Sequence, residues 1–195
     1  MDSPKQIKKQ IRKRLLEARR EHAATLPEST RGLLFKRPPA TVADIIPSDA
    51  VIGLYRADPG EAPAGGYARF FLEAGHTIAL PWLTGLDAPM RFRVHTDPYG
   101  ETDLEEGFFG LMQPSPAARE VTPDVLIMPL VAFTENGDRI GQGGGFYDKW
   151  LGAHPDVMRI ALAWDIQKVD EMPVEPHDMR VTAVVTPTRL YGPFA

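Results

Sequence analysis

Cysteine is absent from all 195 residues. That excludes disulfides, thiolate metal sites, iron–sulfur clusters and cysteine nucleophiles. Membrane-length apolar runs are missing too: the longest stretches, such as VLIMPLVAF at 125–133, are too short to span a bilayer. No charged start leads into a signal-like apolar segment, so a cytoplasmic protein without a membrane partner is expected. A broad basic face is also lacking. The net charge is −4, yet residues 1–20 carry eight of the 22 basic residues and two of the 26 acidic ones, a balance of +6 against −10 for the rest. A basic segment on an acidic body points to a local anion site and argues against a nucleic-acid partner.

What is present is ordinary for a folded domain: 43% hydrophobic and 25% charged residues. The length fits one domain over 1–195 that buries enough surface to stand alone. PKQIKKQIRKRLLEARREHAATLP at 4–27 places Ile7, Ile11, Leu15 and Ala18 on one stripe of an amphipathic helix. Lys8 and Arg12 lie four apart beside it. Like charges at that spacing repel by about 0.2–0.5 kcal/mol, so they are either a solvated face or a site for something anionic. Shorter helices are expected at ESTRGLLF (28–35) and TVADII (41–46). A strand at AVIGLY (50–55), a helix with Tyr67, Phe70, Phe71 and Ala74 closed by Gly75, and a strand at HTIALPWL (76–83) form a parallel pair with a crossover. Further strands are expected at 90–97, 124–134, 158–165 and 181–188, the one at 124–134 being central and ending or bending at Pro129. Residues 98–123 read as an ordered surface excursion. The expected fold is α/β, a mostly parallel central sheet with helices on both faces.

The central strand runs into GDRIGQGGGFYDKW at 137–150, which sets Gly141, Gly143, Gly144 and Gly145 beyond a strand end. Ligands of α/β sheets bind there, and missing Cβ atoms let backbone N–H groups approach phosphate oxygens. FYDKWL opens a helix whose N-terminus adds partial positive charge. The loop matches neither the dinucleotide fingerprint nor the P-loop, and a plain turn is the simpler reading of glycines alone. Three neighbours favour a phosphate site: Arg139 as a counter-charge, and Asp148 and Asp178 as hard oxygen donors for Mg²⁺. His177 beside Asp178 reads more simply as a surface residue, and Trp82 and Trp150 as core.

MPLVAFTENGDRIGQGGGFYDKWL (128–151) closely resembles the signature of the 5-formyltetrahydrofolate cyclo-ligase family. KKQIRKRLLEARR, YRADPGEA, ALPWL, DVLIMPLVAF and MPVEPHDMRVTAVVT extend the resemblance over nearly the whole chain. It implies an ATP- and Mg²⁺-dependent conversion of 5-formyltetrahydrofolate into 5,10-methenyltetrahydrofolate with release of ADP and phosphate, through an imidate phosphate, by a monomer. Lys8, Lys9, Gln10, Ile11 and Arg12 would border ATP, with Lys8 and Arg12 on its phosphates. So would Arg139, Ile140, Gly141, Gln142, Gly143, Gly144, Gly145, Phe146 and Tyr147. Lys8 and Arg139 would stabilise charge, and no side chain is assigned as general acid or base. Glu61 would contact the folate, together with Gln142 to Phe146, and Asp148 and Asp178 would hold Mg²⁺.

Two positions depart from common family usage: some relatives carry lysine where this chain has Gly144, and many carry tyrosine where it has Phe146. The sequence APA after Glu61 departs as well. Altered affinity is the expected consequence, since the Phe146 ring face remains available for stacking. Two other readings stay open, a folate- or nucleotide-binding regulator without catalysis and an ATP-dependent paralogue acting on another substrate.

Overall fold

In the computed structural model, which describes residues 3–194, the most apolar segment forms a strand whose first four residues are all buried. The expected domain bounds include residues 1, 2 and 195, which lie outside the described residues. In chain order the strands are β1 (Val51–Gly53), β2 (Thr77–Trp82), β3 (Arg91–Val94), β4 (Leu104–Glu106), β5 (Met112–Pro114), β6 (Glu120–Val121), β7 (Val125–Pro129), β8 (Ala132–Phe133), β9 (Arg139–Ile140), β10 (Met158–Leu162), β11 (Ala183–Val185) and β12 (Leu190–Tyr191). Eight of them make one sheet in the order β12-β11-β10-β7-β1-β2-β3-β6. From β11 through β10, β7 and β1 to β2 the pairing is parallel. The outer strands β12, β3 and β6 are antiparallel. The helices are α1 (Pro4–Thr25), α2 (Glu28–Leu34), α3 (Ala40–Ala43), α4 (Gly65–Glu73) and α5 (Phe146–Ala153). Among the described residues no helix is long and apolar enough to cross a membrane.

Side chains alternate across the sheet, and both faces are covered, which is why the central strands are apolar throughout. Val125, Ile127, Ile52 and Ile160 pack with Phe35, Val42, Tyr67 and Phe71 from α2–α4 and the segments beside them. Leu126, Met128, Ala161 and Val184 meet Trp150 and Leu151 of α5 on the opposite face. Leu126→Ala, at a residue with no exposed surface, should cost about 2–5 kcal/mol. Urea unfolding followed by circular dichroism reads this directly.

Four local differences from the sequence expectation have physical causes. The strand expected over 124–134 is two: β7 stops at Pro129, which has no N–H to continue the ladder, and β8 pairs with β9 in a separate hairpin. The excursion at 98–123 contains the β4–β5 hairpin and the edge strand β6. In α4 the buried residues are Tyr67, Ala68 and Phe71, with Ala74 exposed, although the helix does close at Gly75 with φ 93°. On α1 the buried residues are Lys8, Leu15, Arg19 and Ala23, not Ile7, Ile11 and Ala18. The stripe turns toward the two cations because each finds an acidic partner and its methylenes can still cover apolar surface. A capping box of Ser3 with Gln6, and Pro4 in the first turn, start this helix.

Candidate active site

Three of the parallel strands, β1, β2 and β7, deliver their carboxyl ends to one cavity of about 990 Å³, the upper part of the range for substrate sites, roughly 300–1,000 Å³. Tyr55 and Arg56 follow β1, Leu80 and Pro81 end β2, and Pro129 and Leu130 end β7; all six line it. One side is cationic. Lys8 is only 7% exposed, and its Nζ donates to Glu175 Oε2 at 2.7 Å and to Asp178 Oδ2 at 2.5 Å. Burial pulls the ammonium down, but those two carboxylates outweigh it and hold its pKa above the ordinary lysine value. The same carboxylates therefore remove the solvated-face reading of Lys8. Arg12, one turn on, donates from Nε to Gly141 O at 2.7 Å.

The glycine loop is shaped around these groups. Gly143 has φ 103°, and a Cβ there would sit 3.5 Å from the Arg12 guanidinium. Gly145, with φ 69°, is the N-cap of α5 and supplies no side chain to cap it, so the first amides of that helix are left for another acceptor. Arg139, 7% exposed, leaves β9 with its Nε on Met179 O at 3.1 Å and its Nη2 on Asp148 Oδ1. The two departures from family usage are neighbours: a Cβ at Gly144 would come within 3.1 Å of the Phe146 ring. A longer residue at 144 requires that ring to shift by a few tenths of an ångström.

Glu61 forms another side. It is 6% exposed; Oε1 accepts from Gln142 Nε2 at 2.8 Å and Arg19 Nη1 at 3.5 Å, and Oε2 from Asp58 N at 2.9 Å. Burial raises its carboxyl above the ordinary glutamate value against those three donors. Burial, and then the Glu61 charge, also push up the Tyr55 and Tyr147 hydroxyls, which stay protonated. Leu83, Met90, Met112 and Phe109 add apolar lining, and Gln113 fixes Leu83 through both its N–H and its carbonyl.

Most of the expected site residues meet here: Lys8, Arg12, Glu61, Arg139 through Tyr147, Asp148 and Asp178 all line the cavity. Lys9, Gln10 and Ile11 do not. Successive helical residues are rotated by about 100°, so Lys5, Lys8 and Arg12 share the face toward the cavity while Ile11 packs near Leu15, Val131 and Ile140. Glu175 and Arg19 escaped the sequence reading. The signal for Arg19 was its seat on the stripe of Leu15; for Glu175 it was the spacing to Asp178, whose carboxylate accepts from Glu175 N at 2.7 Å. Ligand atoms of Glu175, His177 and Asp178 lie within 4.8 Å of one another, the histidine side chain being 69% exposed. Asp148 stands apart from that group, joined to Arg139. Trp150 packs between Phe92 and His154, and Trp82 lies under the Arg93 guanidinium, so both serve packing.

The chain is 30% identical over 186 residues to a 5-formyltetrahydrofolate cyclo-ligase of Escherichia coli, covering 92% of this chain and 97% of that one. It is 30% identical over 187 residues to the enzyme so named from Mycolicibacterium smegmatis, covering 93% and 94%. Among solved structures, the 5,10-methenyltetrahydrofolate synthetase of Aquifex aeolicus superposes with a TM-score of 0.72 at 25% identity, covering 96% of this chain and 93% of that one. A synthetase of the same name from Mycoplasma pneumoniae shares the fold, with a TM-score of 0.65 at 20% identity over 91% and 97% of the two chains. The family model matches residues 4–187, and the chain belongs to the 5-formyltetrahydrofolate cyclo-ligase family.

Proposed function

We propose that this cavity binds ATP beside 5-formyltetrahydrofolate and closes the folate to 5,10-methenyltetrahydrofolate, with release of ADP and phosphate. The observation that carries this reading is the lining of one cavity, which brings Lys8, Arg12, Arg139 and the glycine loop together with Glu61, Gln142 and apolar side chains. The first set suits a triphosphate and the second a flat, polar-edged ring with an aromatic tail.

The formyl oxygen, amide-like and a poor leaving group, attacks the γ-phosphorus as ADP departs. N10 then adds to the activated carbon and phosphate leaves, the N10 proton going with it or to water. Phosphoryl transfer depends chiefly on alignment and charge stabilisation. Lys8 and Arg139 are held in place by carboxylates and a backbone carbonyl before any ligand arrives, so they offer charge without reorganising. No protein nucleophile is required. Glu61 and Gln142 would hold the folate ring, and Tyr147, protonated, offers a neutral donor or acceptor.

The donor set also fits a hard divalent cation. Asp178 and Glu175 present carboxylate oxygens around a gap that the Lys8 ammonium bridges, which marks the gap as one that holds positive charge. Asp178 would hold Mg²⁺, and Asp148, whose carboxylate Arg139 holds in the ligand-free protein, would join it as the second ligand. When bound there, the ion would neutralise triphosphate charge.

With 5-formyltetrahydrofolate, ATP and Mg²⁺, the purified protein should form the product, whose conjugated amidinium absorbs where the substrate does not, with one ADP released per product. Folate binding without ADP release would mark a regulator, and phosphate transfer only with another acceptor a paralogue; either outcome overturns the proposal. A companion pair tests the helical register. Lys8→Ala should raise the KM for ATP about tenfold or more, as loss of a charged hydrogen bond does, while Lys9→Ala should stay within about twofold. Steady-state kinetics at varied ATP separates them.

A further inference from the structure

Arg19 is 3% exposed, sits two turns beyond Arg12 on α1, and bonds to the cavity lining through Glu61 and Leu130. Its Nη1 reaches Glu61 Oε1 at 3.5 Å and Leu130 O at 3.2 Å, while its buried Nε has no hydrogen-bond partner among the described residues. Burying an arginine with a donor unsatisfied works against stability. A position kept under that penalty is better explained by what it does to Glu61. The loop carrying Glu61 is pinned from several sides: Trp164 Nε1 donates to Gly60 O at 3.0 Å, and a Cβ on Gly60 would meet the Arg20 side chain at 3.0 Å.

We infer that Arg19 is a positioning residue for folate binding: its guanidinium holds the Glu61 carboxylate at the cavity wall, tying the folate side to the helix that carries Lys8 and Arg12. This rests on the proposed reading of Glu61 as a folate contact. An ionised carboxylate has about four acceptor positions, and Arg19, Gln142 and the Asp58 N–H occupy three. The remaining position, on Oε2, is the one a ligand N–H would take. A protonated Glu61 would place an O–H there and repel that donor. The groups facing Glu61 are Arg19 from α1, Asp58 from its own loop, Gln142 from the glycine loop, Tyr55 after β1 and Tyr147 from α5. Arg19 is the only cation among these five, so its removal leaves the Asp58 N–H and Gln142 alone against burial and the Asp58 charge, and moves the balance toward the neutral carboxyl.

The test titrates the Glu61 carboxyl by carbon-13 NMR in the ligand-free protein, in wild type, Arg19→Gln and Arg19→Lys, alongside the KM for 5-formyltetrahydrofolate. Arg19→Gln should move the Glu61 pKa up by about one unit or more, the usual influence of an adjacent opposite charge. It should raise KM about tenfold with kcat within about threefold, and shift the acid limb of kcat/KM upward with the carboxyl. Arg19→Lys, which keeps the charge, should restore most of both. A folded Arg19→Gln protein with an unmoved Glu61 titration overturns the inference. If Arg19→Gln does not fold, Arg19→Lys and Glu61→Gln decide: an acid limb that persists in Glu61→Gln also overturns it. Because the NMR titration needs no turnover, absence of activity in wild type would sink the functional reading while still testing Arg19's hold on Glu61.

Discussion

Arg139→Ala should lower kcat/KM for ATP by about 10²–10³, the usual loss when a preorganised charge stabiliser is removed. The guanidinium is fixed from two directions, by Met179 O before β11 and by Asp148 in the first turn of α5. In the proposed site it would therefore meet a phosphoryl group without having to be ordered. Arg139→Lys retains the charge but cannot hold both anchors with a planar fork, so an intermediate loss of about tenfold is expected. Alanine also strands Asp148 without its partner. The double variant Arg139→Ala/Asp148→Asn isolates that contribution: if repulsion from a freed carboxylate is the cause, the double variant recovers activity relative to Arg139→Ala alone. Kinetics at varied ATP, with circular dichroism to check the fold, give the answer. A native fold with kcat/KM within about threefold of wild type would remove Arg139 from the phosphate-binding role.

The sheet was legible because its central strands are apolar at both parities, and β1, α4 and β2 follow one another with turn residues between them. What was not legible depends on pairing partners far away in sequence. β6 is two residues long and exists only because Phe92 and Arg93 of β3 lie beside it; β12 likewise needs β11. No local pattern of two residues carries that information. The break between β7 and β8 was partly readable from Pro129, but that β8 turns back onto Arg139 and Ile140 depends on the Thr134–Asp138 turn, where Thr134 N donates to Asp138 O at 3.0 Å.

For the site, Arg139, Asp148 and the glycines were readable because they share one short stretch, whereas the role of α1 was half hidden. A stripe drawn from apolar residues alone selected Ile7, Ile11 and Ala18. The helix buries Lys8 and Arg19 more deeply than any of these three, since Glu175, Asp178 and Glu61 arrive from loops more than 40 positions away. Charge partners at such separations are invisible to periodicity, and they rotate the helix so that a face it would leave in solvent is turned inside.

Asp178→Asn should raise the Mg²⁺ concentration for half-maximal turnover by about 10–100-fold or more, the range seen even for groups one shell removed from a metal. The substitution keeps shape and removes charge, so the geometry of the 175–178 turn survives: an asparagine oxygen can still accept from Glu175 N. Asp148→Asn should act in the same direction, and unaltered Mg²⁺ dependence in both would defeat the assignment. A second readout needs no ligand at all. Burial pushes the Asp178 carboxyl up, but the Lys8 ammonium and the Glu175 N–H outweigh it and hold the carboxyl below its ordinary value of 3.8. A depressed carboxyl contributes stability that is complete above that value and is lost as pH falls through the folded pKa. Lys8 is the mirror case: its raised pKa adds stability that is present below 10.5 and lost as pH rises through the folded value. Asp178→Asn should therefore be less stable than wild type near neutrality, converge with it in acid below 3.8, and lose part of the alkaline dependence, with Glu175 still holding Lys8. Urea unfolding across that pH span checks the sign. A wild-type acid limb as shallow as that of Asp178→Asn would mean that Lys8 and Asp178 are not coupled in solution, and the proposed phosphate site would then lose the anchor for its first cation.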